Sequence, residues 1–219
     1  MVYFYDETAG NEQLKITNEQ FSHLKARRLK AGERIDVRNL KDGFNYIYEI
    51  MEISRKEALC ELIFKNSVIE KTPDFTVAWA VVENAVIEKT LPSLNEIGIG
   101  KVILVYSDFS QKNIKPDLKR MERILINSSQ QCGRNSILEI EILNSSDELS
   151  KKFQDKISLI DFGGKSLEIF GNDEIAFVGP EGGFSERERK LFKNSYAINS
   201  PYILRSNTAI LSVCAKLLF

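Results

Sequence analysis

The sequence predicts a small β domain followed by a larger α/β domain, and three observations carry that expectation. Short alternating stretches separated by turn signals fill about the first 70 residues; apolar runs alternating with longer helical ones begin at Phe75; no internal repeat or low-complexity tract interrupts either part. With 219 residues, 43% of them hydrophobic, the chain is long enough for one good core or two small ones. Disordered and fibrous classes are thereby set aside.

In the first part, one short helix is expected from Thr17-Asn18-Glu19-Gln20 through His23-Leu24. Strands are expected at 34–39, 44–53 and 58–64. Lys41-Asp42-Gly43 is a hairpin signal between the first two, since Asp-Gly supplies the positive φ of a tight turn, and Ser54-Arg55-Lys56-Glu57 separates the next pair. The pattern reads as a small β-barrel. Lys71-Thr72-Pro73-Asp74 reads as a linker, giving domains at 1–72 and 73–219.

The second part predicts strands at 75–82, 101–106, 137–142, 156–161, 174–178 and 196–198. Helices are expected over 83–97, 116–132, 147–153, 186–194 and 208–218. This alternation is the sequence form of βα units around a largely parallel sheet. Trp79 and Phe75 fall on a strand and read as core residues.

Composition excludes several functions. No apolar run approaches the roughly 18 to 20 residues that cross a bilayer. The start, Met1-Val2-Tyr3-Phe4-Tyr5-Asp6-Glu7, also lacks a basic region followed by an apolar one, so a cytoplasmic protein without a membrane partner is expected. Cys60, Cys132 and Cys214 lie far apart with no C-x-x-C spacing, and His23 is the one histidine; no disulfide framework or metal site is expected. The formal net charge of −1 conceals two basic segments. One holds Lys25, Arg27, Arg28, Lys30, Arg34, Arg38 and Lys41, and the other Lys101, Lys112, Lys115, Lys119, Arg120, Arg123 and Arg134. Each is either a solvated face or a contact for a phosphate backbone.

The most informative stretch runs Ile175-Ala176-Phe177-Val178-Gly179-Pro180-Glu181-Gly182-Gly183-Phe184-Ser185-Glu186-Arg187-Glu188: an apolar strand, a glycine-rich turn and a helix start. Ser185 with Glu188 three residues on is a capping box. Three glycines around one proline let the backbone approach a bound molecule; a tight turn with no ligand is the alternative. A nucleotide-hydrolysing phosphate loop is excluded by the absence of G-x-x-x-x-G-K-[ST]. A dinucleotide fingerprint is excluded because Gly98-Ile99-Gly100 precedes a strand rather than following one. A second polar loop, Asn199-Ser200-Pro201-Tyr202-Ile203-Leu204-Arg205-Ser206-Asn207-Thr208-Ala209, leads into the last helix, and both loops following strands could line one pocket.

On these residues the sequence resembles the bacterial 16S ribosomal RNA uridine N3 methyltransferases of the knotted SPOUT class. The resemblance rests on Val178-Gly179-Pro180-Glu181-Gly182-Gly183 with Ser185 and Glu188, and on Ile203-Leu204-Arg205 with Thr208-Ala209. Gln131-Cys132-Gly133-Arg134-Asn135, Glu96-Ile97-Gly98-Ile99 and the region behind His23-Leu24 follow the same pattern, so that it covers nearly the full length. It implies an N-terminal PUA-like β-barrel for RNA contact, an α/β domain with a C-terminal trefoil knot, S-adenosyl-L-methionine as cofactor, and an active site formed at a homodimer interface. The implied substrate is 16S ribosomal RNA of the small ribosomal subunit.

By the match, Val178, Gly179, Pro180, Gly182 and Gly183 would form one wall of the cofactor pocket and Asn199, Ser200, Ile203 and Leu204 another, with the loop Phe162-Gly163-Gly164 closing it. Arg205 is the candidate to stabilise negative charge on a ring carbonyl as uracil N3 loses its proton; a phosphate or dimer contact is its other reading. Glu181 is a candidate proton acceptor, or a partner for a backbone amide or a second subunit's arginine. Arg27, Arg28, Lys30, Gln131 and Arg134 are candidate RNA contacts, although a basic residue after a helix also serves as a C-terminal cap. His23 reads as structural or RNA-contacting rather than catalytic.

The sequence also departs from the family. Where Leu-Gly-x-Arg is usual, it has Asn199-Ser200-Pro201-Tyr202, and the acidic residue usual before Thr208-Ala209 is Asn207, which is expected to cap the last helix. Two other functions stay open: a non-catalytic RNA-binding module, and a knotted methyltransferase acting on another base or on a ribose oxygen.

Overall fold

The computed structural model describes residues 2–68, 75–171 and 173–219. The chain divides into two units, Met1–Lys71 with Ile126–Ile137, and Thr72–Leu125 with Leu138–Phe219. The expected linker, Lys71-Thr72-Pro73-Asp74, lies outside the described residues.

The first unit is built on a sheet with strand order β1-β3-β4-β5-β2. Its strands are β1 (Phe4–Tyr5), β2 (Gln13–Ile16), β3 (Arg34–Arg38), β4 (Phe44–Ile53) and β5 (Ala58–Ser67). All pairings are antiparallel except β1 with β3. The expected hairpin forms around Gly43 at φ 74°, with Asp42 Oδ1 accepting from the Phe44 amide at 3.0 Å. Helix α1 (Asn18–Ala26) buries Phe21 and Leu24 in a core that also holds Ile16, Val37, Tyr48 and Cys60. The flanking strands β1 and β2 were not expected; two and four residues are too short for alternation to register. Gln130 holds β1 in place, since the Tyr5 amide donates to its side-chain Oε1 at 2.9 Å and the Val2 amide to its backbone O at 2.6 Å.

The second unit is a parallel sheet in the order β11-β9-β10-β6-β7-β8. Its elements are β6 (Thr76–Ala80), α2 (Asn84–Ile97), β7 (Lys101–Val105), β8 (Glu139–Leu143), α4 (Ser146–Phe153), β9 (Ile157–Ser166), β10 (Ile175–Val178), α5 (Glu186–Leu191), β11 (Asn194–Ala197) and α6 (Ser206–Leu218), while α3 (Leu118–Cys132) runs from this unit into the first. Strands β6, β7 and β10 are covered on both faces, which is why they read as apolar runs without alternation. Trp79 is fully buried, as expected of a core residue.

Several boundaries differ from expectation. Strand β9 continues to Ser166, so Phe162-Gly163-Gly164 is strand and not loop. Its continuation pairs with β11 after a register shift between Ser195 and Tyr196. A Cβ at Gly164 would lie 2.6 Å from the Tyr196 carbonyl carbon, so no other residue fits where the two strands close up. Helix α5 also ends at Leu191, and β11 begins at Asn194. Among the described residues, no helix is long and apolar enough to cross a membrane.

Candidate active site

Strand β10 delivers the chain into Gly179-Pro180-Glu181-Gly182-Gly183, and α5 takes it away. The turn closes through the Gly183 amide donating to Pro180 O at 2.9 Å, with Gly183 at φ 69°, a conformation that favours glycine. The capping box is present: the Glu188 amide donates to Ser185 Oγ at 3.1 Å and the Ser185 amide to Glu188 Oε2 at 3.0 Å. The Glu188 carboxylate is fully buried and does more than cap. Its Oε1 accepts from the Asp108 amide at 3.0 Å and from the Ser146 hydroxyl, so one side chain ties α5 to the loop after β7 and to the start of α4. A buried charge with every oxygen engaged is tolerated where an unpaired one is not.

Asp108 reinforces the same junction. It accepts from Ser185 Oγ at 2.5 Å and from Arg187, whose Nη2 and Nε lie 2.6 and 3.0 Å away. Arg187 also grips Asp147 at 2.8 Å. The Arg187 and Ser185 hydrogen bonds hold the Asp108 carboxyl below the usual carboxylate range.

The second loop follows β11. Ser200 folds it back by accepting from the Tyr202 amide at 3.2 Å and donating to Tyr202 O at 2.9 Å. Helix α6 then begins at Ser206, with Arg205 in the capping position and Asn207 inside the first turn. The expected capping role of Asn207 is thus not observed; no side chain caps this helix, and Asn207 instead lines a cavity. Ser206 joins the two loops: its Oγ donates to Gly179 O at 2.6 Å and accepts from Trp79 Nε1 at 2.8 Å, all buried.

Two recesses meet at this junction. A cleft enclosing about 130 Å³ is lined by Ile160, Asp161, Val178, Gly179, Phe184, Ala197, Ile198 and Leu204, with Pro180, Glu181, Gly183, Ser200 and Ser206. Its rim carries Phe162, Tyr202 and Ile203, which are 75%, 79% and 82% exposed. Together they leave an open apolar rim beside the cleft. On the other side of Pro180 and Glu181 lies a cavity of about 680 Å³ whose wall includes Val82, Lys89, Phe109, Gln111, Gly182, Arg205 and Asn207. Pro180 and Glu181 line both.

The structure brings Phe162, Val178, Gly179, Pro180, Gly183, Ser200, Ile203 and Leu204 to one cleft. Gly163 and Asn199 are not on its lining, and Gly182 faces Phe109 on the larger cavity instead. Arg205 and Glu181 share that larger cavity. Sequence reasoning passed over Asp161, held by Arg189 at 2.6 Å, because no spacing connects residues 28 positions apart. In the first unit, Arg27, Arg28 and Lys30 are exposed after α1, and Gln131 is exposed in the last turn of α3. Arg134 is 8% exposed: its Nε donates to Ser136 Oγ at 3.0 Å and its carbonyl accepts from Tyr3 Oη at 2.6 Å.

Residues 70–218 match the family described as RNA methyltransferase domain, and residues 16–63 match the RNA methyltransferase PUA domain. Ribosomal RNA small subunit methyltransferase E from two strains of Helicobacter pylori is 40% identical over 223 residues, covering 98% of this chain and 98% of the relative. The protein of the same name from Mesomycoplasma hyopneumoniae is 30% identical over 227 residues, covering 98% and 97%. A crystal structure of ribosomal RNA small subunit methyltransferase E from Neisseria gonorrhoeae bound to S-adenosyl methionine superposes with a TM-score of 0.79 at 21% identity, covering 99% and 96%, a likeness that speaks for the fold. The chain belongs to the ribosomal RNA small subunit methyltransferase E family.

Proposed function

We propose that the protein transfers a methyl group from S-adenosyl-L-methionine to N3 of a uridine in the 16S ribosomal RNA of the small ribosomal subunit. The observation that carries this reading is the shared wall. An apolar cleft and a larger cavity of mixed lining share Pro180 and Glu181, and Arg205 stands in the second.

The cleft residues fit the cofactor. Ile160, Val178, Phe184 and Leu204 offer apolar surface to a purine ring, and the carboxylate of Asp161, fixed by Arg189, offers an acceptor to hydroxyl or amino groups. Gly179 leaves room where a Cβ would press to 3.2 Å on the Phe184 ring. When bound, the cofactor supplies a methyl carbon made electrophilic by its sulfonium. The chain's own work is to hold the base beside the shared wall and to favour loss of the N3 proton. Arg205 stabilises charge that develops on a uracil carbonyl as that proton leaves, and Glu181 accepts the proton.

The topology supports a knotted C-terminal segment. From β11 at the sheet edge the chain returns past β9 and β10 to reach Ser206, which is pinned between Gly179 and Trp79. The exposed side chains Phe162, Tyr202 and Ile203 support a homodimer that covers the cleft rim. The PUA-like unit, with Arg27, Arg28, Lys30 and Gln131 exposed, would contact the RNA backbone in the cytoplasm, with Arg134 fixing the chain beside Gln131.

Nucleoside mass spectrometry on small-subunit RNA from a deletion strain tests the reading. Loss of 3-methyluridine, restored by the purified protein with S-adenosylmethionine, is expected; unchanged 3-methyluridine, or loss of a different nucleoside, overturns the assignment.

A further inference from the structure

Phe109 is 54% exposed on the loop between β7 and α3, yet hydrogen bonds hold that loop on both sides of it. The preceding residue, Asp108, donates its amide to buried Glu188 and receives Ser185 and Arg187 on its carboxylate. The Ser110 amide donates to Ser107 O at 3.1 Å, the hydroxyls of Ser107 and Ser110 are 2.9 Å apart, and Tyr106 Oη donates to Ile114 O at 2.5 Å. A backbone fixed at so many points holds the ring in one place while leaving it half open to water. An exposed phenylalanine forgoes the stabilisation that burial would bring, so a rigid loop that keeps one exposed suits a ligand that stacks on it.

The ring stands on the cavity wall with Gln111, Glu181, Gly182, Arg205 and Asn207. Gly182 packs directly against it: an added Cβ would lie in van der Waals contact, 3.5 Å from the Phe109 Cβ and Cδ2, so a branched side chain there would crowd the ring. Gly182, the first glycine of the Glu181-Gly182-Gly183 turn, therefore puts no side chain beside the ring. A target base in folded RNA is paired or stacked and must leave that environment to be methylated at a ring nitrogen. Leaving the stack costs energy that a waiting aromatic face returns without regard to sequence.

We infer that Phe109 is the stacking platform for the unstacked target pyrimidine, holding its ring in the cavity beside Arg205 and Glu181 while Gly182 keeps the face open. This deepens the proposed methyl-transfer reading and rests on it. Phe109 is a binding residue for the substrate base, with no part in holding the cofactor.

The test is steady-state methylation of small ribosomal subunits from a deletion strain by the full-length protein and its variants, beside calorimetric binding of S-adenosylmethionine. Phe109→Ala should raise KM for the subunit about ten- to a hundredfold, the range of one lost stacking contact, with cofactor affinity within about twofold of wild type. Phe109→Tyr should restore KM to within about threefold, which a role confined to fold stability does not require. Gly182→Val should reproduce the Phe109→Ala defect with the aromatic ring still present. A Phe109→Ala protein with unchanged KM, while wild type methylates normally, overturns the stacking role alone. Equal impairment in Phe109→Ala and Phe109→Tyr also overturns it. Wild-type protein that neither binds the cofactor nor methylates the subunit sinks the methyl-transfer reading itself.

Discussion

The hydroxyl of Ser206 donates to the carbonyl oxygen of Gly179 across 27 residues of sequence, at 2.6 Å, and so fastens the start of the last helix to the first residue of the glycine turn. Trp79 Nε1 completes the arrangement at 2.8 Å. Replacing Ser206 with alanine leaves two buried polar groups without a partner, at about 1–3 kcal/mol each. The variant is expected to melt several degrees lower, since about 2–4 °C accompanies each kcal/mol in a chain of this size. Cofactor affinity should fall with it, because both cleft walls depend on that hydroxyl. Calorimetry and thermal melting measure the two effects, and an unchanged melting temperature would remove the structural role given to Ser206.

Gly179 itself allows little change. Gly179→Val places a branched side chain where even one Cβ reaches the Phe184 ring at 3.2 Å. Loss of S-adenosylmethionine binding is expected in titration calorimetry, with the far-ultraviolet spectrum retained. Normal affinity would show that this wall does not approach a ligand.

Arg205 lines the larger cavity, is exposed and makes no helix-capping bond, so its removal disturbs little of the fold. Arg205→Ala is expected to lower kcat about a hundredfold or more while leaving cofactor affinity unchanged, the pattern of a donor used only as charge develops. Single-turnover assays with small subunits decide this; a normal rate refutes the role.

Acid stability follows from Asp108. Its carboxyl is held below the ordinary value of 3.8 by Arg187 first and Ser185 second. A carboxylate whose folded pKa is depressed contributes stability that is fully present above its unfolded value and is lost as pH falls through the folded one. Wild-type melting temperature is therefore expected to fall as pH drops from about 4 downward. In Asp108→Asn part of that fall should be absent, and identical pH profiles for the two proteins would contradict the account.

How far the sequence revealed these features depended on the distance between the partners. The Ser185–Glu188 capping box spans three residues, and the Asp42-Gly43 turn is a local dihedral preference, so both were legible. The apolar strands β6, β7 and β10 were equally plain because burial on both faces removes alternation. What escaped was non-local. Phe162-Gly163-Gly164 looks like a loop until β11 lies against it, since only the Tyr196 backbone explains why Gly164 lacks a side chain. Gly182 and Gly179 look equivalent in a glycine-rich turn, yet they face different recesses. The Asn207 capping role failed because the helix begins at Ser206, whose partner Trp79 is 127 residues away.

A crystal structure with S-adenosylmethionine bound would locate the cofactor against the two loops. The nucleoside is expected in the cleft between Gly179 and Leu204, with its methyl group directed across Pro180 and Glu181 toward Arg205. Density for the compound in any other place, or with the methyl group turned away from Arg205, would contradict this placement.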